Sequence, residues 1–199
     1  MPFTLVLGYA LAAFNLASDG TFREDVVSLA SGQGGLSDIY EQSGEFSTSH
    51  NSAGLGRLVT LSTLVALIAP IFTLTPLGIP DWVGWFGLGW MLGGMAIGFW
   101  AKRVNRFFLG DNQGAEEQFI CTDGPYKVIR HPIFLGQLLF WFGFGLSSCN
   151  WFVFLIISVV MLLTYHRRIL FEEELMFSRL GADYQAYVDE TARILPFIY

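Results

Sequence analysis

Apolar residues in this chain fall into five long runs, and polar residues collect between them. The first run, 3–17, makes a helix of about 22 Å, marginal for a hydrocarbon core of about 30 Å. A stretch rich in Ser, Gly, Asp, Glu and Gln follows from Ser18 to Gly56 and reads as a linker. The second run opens at Arg57 and continues through Ile79, with Pro70 predicting a kink. Pro76 to Asp81 supplies the turn into the third run, Trp82 to Ala101. In that run Gly89 and Gly93 are four apart, as are Gly94 and Gly98, a spacing that lets another helix approach the backbone closely. Residues 107–130 are mixed and polar, with a turn at Asp123-Gly124-Pro125. Pro132 predicts the start of a fourth helix reaching about Ser147. Ser147 to Asn150 then turns the chain into a fifth from Trp151. Its apolar part ends near Tyr165, yet helix formers continue to Leu180 and Gly181 is a stop signal.

The expected fold class is an all-α integral membrane protein with about five transmembrane helices and a C-terminal cytoplasmic helix extension. The parts are an N-terminal helix and linker (1–56), two helices (57–101), and a loop, hairpin and tail (102–199), all in one membrane domain. Five spans put 18–56, 102–131 and 166–199 on one side and 80–81 and 147–150 on the other. All eleven Lys and Arg then share the first side, which the positive-inside rule makes cytoplasmic.

Composition agrees: 53% of residues are hydrophobic, 14% are charged and mean hydropathy is +0.49. A net charge of −6 and the lack of a basic run exclude nucleic acid as an expected partner. Cys121 and Cys149 fall on opposite faces in this topology, so no disulfide is expected, and no metal-ligand spacing occurs. The first run lacks a basic leader and is expected to be a retained helix.

Two polar stretches meet the membrane edge on the same face. At the start of the fourth helix, Arg130 and His131 stand beside unpaired N–H groups and the positive end of the helix dipole, an arrangement suited to a carboxylate or phosphate. Arg130 is equally suited to be a positive-inside anchor; for His131, between Arg and Pro at the membrane edge, a ligand role is favoured over that of a cap. At the foot of the fifth helix, Arg168 and Glu172 share a face, followed by Glu173 and Glu174. A surface salt bridge would be the bland reading; three carboxylates beside Arg167 and Arg168 favour a bipolar binding surface.

The pattern G-x-Y ending at Tyr126, R-H-P-x-F-x-G at 130–136, a hydrophobic hairpin, R-x-x-x-E-E at 168–173, G-x-x-Y-x-x-Y at 181–187 and a closing L-P resembles the isoprenylcysteine carboxyl methyltransferase family, related to the phospholipid N-methyltransferases. The resemblance covers roughly residues 102–199. It implies S-adenosylmethionine as cofactor and a lipophilic or lipidated acceptor entering from the bilayer. Carried over by position, it assigns cofactor contacts to Gln118, Phe119, Ile120, Cys121, Tyr126, His131, Pro132, Ile133 and Phe134, with Glu172 the cofactor-binding glutamate and Glu173 its neighbour. Arg130 joins them through the anion site above, and Arg168 matches the substrate-binding arginine. Arg168 and Glu172 are therefore the expected catalytic pair. Phe134 stands where the family usually has tyrosine, so a hydroxyl is lost and an aromatic face kept.

Two other classes compete. Membrane sterol reductases that use NADPH share an R-H-P segment, but Glu172 to Glu174 offer the wrong charge for its extra phosphate. A non-enzymatic lipid-binding protein could retain the scaffold, though it would be free to lose Arg168 and Glu172.

Overall fold

The computed structural model describes residues 3–18, 49–72, 80–105 and 120–196. Among them the chain is helical: α1 (Phe3–Ser18), α2 (Ser49–Phe72), α3 (Asp81–Val104), α4 (Pro132–Ser147), α5 (Trp151–Leu180) and α6 (Ala182–Glu190). A 3-10 turn at Gly124–Lys127 precedes α4, and an isolated parallel bridge joins Ile129 to Ala192.

Local chemistry accounts for the boundaries. Pro132 takes the first position of α4, where its missing N–H leaves nothing unpaired. The Asn150 side chain caps α5 by accepting from the N–H groups of Phe152 (2.9 Å) and Val153 (3.3 Å). Gly181 ends α5 at φ 52°, a conformation that disfavours any side chain, and its N–H donates to the Phe177 carbonyl. These boundaries and the turn at 123–125 fall where the sequence predicts them. The second helix begins earlier than expected, at Ser49, inside the stretch read as linker. Once an apolar run has nucleated a helix, each further residue adds a hydrogen bond at small entropic cost. The segment 73–79, with most of the predicted Pro76 to Asp81 turn, lies outside the described residues.

α3 and α5 are long and apolar enough to cross a membrane; α1, the Arg57–Ile71 part of α2, and α4 are shorter apolar helices. The apolar run of α5 stops at Tyr165, and its last turns, from His166 to Leu180, carry the charged residues of the helix. α4 lies at the centre, with Phe140, Trp141 and Phe144 each no more than 1% exposed. Leu5 and Ala12 of α1, Met91 of α3, and Val153, Ile157 and Met161 of α5 complete this core. Trp82, Trp85 and Phe86 of α3 and Leu155 and Leu163 of α5 point outward. A surface of that kind suits hydrocarbon better than water.

The closest helix pairing, α3 with α4, is made by glycine. A Cβ at Gly94 would lie 2.7 Å from the Phe140 nitrogen, and one at Gly143 would lie 2.7 Å from the Met91 nitrogen. At Gly136 it would meet the Gly94 oxygen at 2.7 Å and the Gly98 nitrogen at 2.9 Å. Gly89 and Gly93, singled out from the sequence, meet nothing within 4 Å among the described residues. The seam runs instead through Gly87 and Gly94, two turns apart, because only that face meets Gly143 and Gly136 across the interface.

The two ends of the bundle are distinct. The Thr4 hydroxyl donates to the Ser147 carbonyl (2.9 Å), so the start of α1 and the α4–α5 turn share one end. At the other end, the close of α3 meets the segment before α4: Gly124 packs on the Val104 side chain. The last turns of α5 and the chain after Gly181 gather there too.

Replacing Gly94 or Gly143 by alanine should lower stability by about 1–3 kcal/mol or more, since backbone on the opposite helix cannot move aside. Gly89→Ala and Gly93→Ala should leave stability unchanged or slightly raised. Thermal unfolding in detergent reads both, and equal losses at all four positions would show that the seam is misplaced.

Candidate functional site

The two polar stretches meet at this second end. From the N-cap of α4 comes His131, with Arg130 before it; from the foot of α5 come Arg168, Glu172 and Glu173. The imidazole lies between the two glutamates, Nδ1 at 3.8 Å from Glu172 Oε2 and Nε2 at 3.5 Å from Glu173 Oε1. It stacks on the Phe134 ring, centroids 5.6 Å apart and planes within 15°. The Arg168 guanidinium lies over the same ring at 5.6 Å and reaches Glu172 at 3.5 Å. Tyr165 packs against Phe134 from one turn of α5 closer to the apolar core.

Glu172 and Glu173 are neighbours with different surroundings. The Glu172 side chain is 36% exposed, whereas that of Glu173 is 7% exposed and surrounded by cations. Arg130 Nε donates to Glu173 Oε1 (3.1 Å), Arg193 Nε to the same oxygen (3.0 Å), and Arg193 Nη2 lies 2.6 Å from Oε2. Burial alone would raise the Glu173 carboxyl, but His131 and Arg193 outweigh it and hold the group down at about 2. Arg130 also donates from Nη1 to the Val188 carbonyl (3.1 Å) and to the carbonyl and hydroxyl of Thr191. Its guanidinium is thus directed at the chain itself, which leaves His131 and the first turn of α4 as the groups available to an anion.

The segment after α5 closes the end. Arg130 N–H donates to the Ala192 carbonyl (2.8 Å), His131 N–H to the Arg193 carbonyl (3.1 Å), and Ala192 N–H to the Val128 carbonyl (3.0 Å). The Tyr187 hydroxyl donates to the Tyr126 carbonyl (2.8 Å). Burial pushes the Tyr126 and Tyr184 phenols up to about 12 each.

Among the residues singled out from the sequence, His131, Phe134, Arg168, Glu172 and Glu173 come together, with Arg130 bracing them. Tyr126 lies in the 3-10 turn beside them, Pro132 is buried, and Ile133 packs on the core. Cys121 is half-buried near the Val104 carbonyl at the end of α3, with Ile120 before it. Gln118 and Phe119 lie outside the described residues. Sequence reasoning missed Arg193, Thr191 and Tyr187 as parts of this site. One signal was legible: Val153, Ile157, Met161, Tyr165, Ile169 and Glu173 form a single buried stripe, four residues apart at each step. A carboxylate at the next position of a core stripe must find cations.

Residues 82–183 match the family model described as phospholipid methyltransferase. Over 83 residues the chain is 29% identical to protein-S-isoprenylcysteine O-methyltransferase A of Arabidopsis thaliana, covering 42% of each chain. It is 28% identical to the probable protein-S-isoprenylcysteine O-methyltransferase of Oryza sativa subsp. indica, over 42% of this chain and 44% of that one. With protein-S-isoprenylcysteine O-methyltransferase of Schizosaccharomyces pombe the identity is 28%, over 42% and 35%. The match therefore spans less than half the length of each of these relatives.

Because the Glu173 carboxyl is held at about 2, below its ordinary 4.5, its contribution to stability is complete above pH 4.5 and is lost as pH falls toward 2. Melting curves of the detergent-purified protein should drop more steeply over that interval than those of Glu173→Gln. Parallel pH dependence of the two proteins would contradict the assignment.

Proposed function

The chain belongs to the phospholipid methyltransferase family, and on that premise we propose that it is a multi-pass membrane enzyme moving a methyl group from S-adenosylmethionine to a lipophilic acceptor. The observation that carries this reading is the convergence of His131, Phe134, Arg168 and Glu172 at the polar end of two apolar helices. Water-borne cofactor and membrane-borne acceptor can meet only at such a boundary.

The residues present fit the cofactor. Nε2 of His131 is buried and makes no hydrogen bond among the described residues, so a polar ligand has an unmet atom to satisfy. The first turn of α4 adds N–H groups and a positive dipole end suited to a carboxylate. Glu172, the accessible member of the glutamate pair, suits an ammonium or ribose hydroxyls. Tyr126, Pro132, Ile133, Ile120 and Cys121, with Gln118 and Phe119, complete the cofactor side in this reading. Arg130 and Glu173 contribute as the frame behind it. When bound, S-adenosylmethionine supplies an electrophilic methyl group.

The chain's own task is alignment and charge. Phe134 orients His131 on one side and Arg168 on another, and in this reading the Arg168 guanidinium holds the polar head of an acceptor. A thiolate or carboxylate acceptor needs no base, whereas an amine must lose a proton, for which Glu172 is the accessible carboxylate. In this arrangement five spans carry the polar end on the cytoplasmic face, where all eleven Lys and Arg would lie.

S-adenosylhomocysteine at a hundred times its dissociation constant should stabilise the detergent-purified protein by about 2.7 kcal/mol, visible as a raised melting temperature. Glu172→Gln should weaken that binding by about ten- to a hundred-fold, the worth of a charge-assisted hydrogen bond. In transfer assays with radiolabelled S-adenosylmethionine and lipid acceptors, Arg168→Ala should raise the KM for acceptor more than that for cofactor. A wild-type protein neither stabilised by S-adenosylhomocysteine nor active with any acceptor would overturn the proposal.

A further inference from the structure

We propose that Arg193 is a positioning residue of this site, acting on His131 through Glu173; the methyltransferase reading enters only in naming the ligand that His131 serves. Arg193 lies in the tail after α6, beyond the 82–183 stretch that the family model matches. It holds His131 at two points. Its carbonyl accepts the His131 backbone N–H at 3.1 Å, which fixes where the residue enters α4. Its guanidinium grips both oxygens of Glu173, Nε on Oε1 at 3.0 Å and Nη2 on Oε2 at 2.6 Å. Such a fork fixes the plane of a carboxylate as well as its place.

The consequence falls on the imidazole. Glu173 Oε1 stands 3.5 Å from His131 Nε2, at the edge of hydrogen-bonding range and outside good hydrogen-bonding geometry, and the same oxygen accepts from Arg130 and Arg193. Among the described residues, the charged groups around His131 are Glu172 and Arg168 on α5, Glu173 behind it, Arg130 before α4 and Arg193 on the tail; the Tyr184 phenol on α6 faces the same glutamates and arginines. Without the Arg193 fork, one oxygen of Glu173 is released to turn toward Nε2, and the imidazole is drawn off the Phe134 ring toward it. With the fork in place, Glu173 stands fixed, the ring stays stacked, and Nε2 keeps its hydrogen-bonding capacity for a ligand. Lysine would return the charge and one donor but not the second, fixed contact.

The test compares Arg193→Gln and Arg193→Lys with Ile194→Ala, a buried tail position whose truncation loosens the same segment while leaving the Arg193–Glu173 fork its donors. The apo protein, labelled with 15N-histidine in detergent, reports the imidazole directly, His131 being assigned by its loss in His131→Asn. The expected result is a displaced His131 resonance in Arg193→Gln, partial return in Arg193→Lys, and no displacement in Ile194→Ala despite its lower melting temperature. Affinity for S-adenosylhomocysteine should follow the resonance, falling about tenfold in Arg193→Gln. An unmoved resonance in Arg193→Gln, or equal displacement by Ile194→Ala, would overturn the positioning role. Failure of the wild type to bind S-adenosylhomocysteine would instead overturn the methyltransferase reading, with the resonance still deciding Arg193.

Discussion

The Glu173 carboxylate lies where α5, the segment before α4 and the C-terminal tail meet, and its two oxygens are held by arginines from the other two parts. Burying it without them would cost several kcal/mol, so α5 reaches its inward position only when both arginines arrive. An ion cluster of this kind adds little net stability over a well-packed apolar core. It accepts one arrangement of the three segments and penalises others, and the parallel bridge between Ile129 and Ala192 lies in the same junction.

From that junction the site follows. His131 is held through its backbone by the tail and through its ring by Phe134, and Phe134 also carries the Arg168 guanidinium. Glu172, one residue before the buried carboxylate, is turned by about 100° around the helix and so faces the accessible side. Two adjacent glutamates thus differ in setting: one is buried among arginines and holds the frame, the other stands on the accessible side.

The glycine seam matters for the same reason. α4 is the helix that carries His131 and Phe134, and Gly136 and Gly143 bring it against α3 at backbone distance. That closeness sets where Val104 ends up, and Val104 is the surface on which Gly124 and the turn bearing Tyr126 rest. Bulk introduced into the seam would therefore reach the polar end as well as the core.

Much of this was legible in the chain itself. The long apolar runs, Pro132, Asn150 and Gly181 mark the helix boundaries because their causes are local: a missing N–H, a capping oxygen, a positive φ. Arg168 and Glu172, four apart, could be paired from spacing alone. Other features depend on register between distant segments. Sequence spacing does not tell Gly89 from Gly87 as the seam residue, since the choice lies with the facing glycines of α4. Nor does it separate Arg130 as an anion site from Arg130 as a brace, or pick out Arg193, twenty residues beyond Glu173. Charge and hydropathy are properties of single positions and so determined the class of the protein. Which carboxylate is buried, and which cations meet it, was decided only when three segments packed together, because desolvation depends on every neighbour at once.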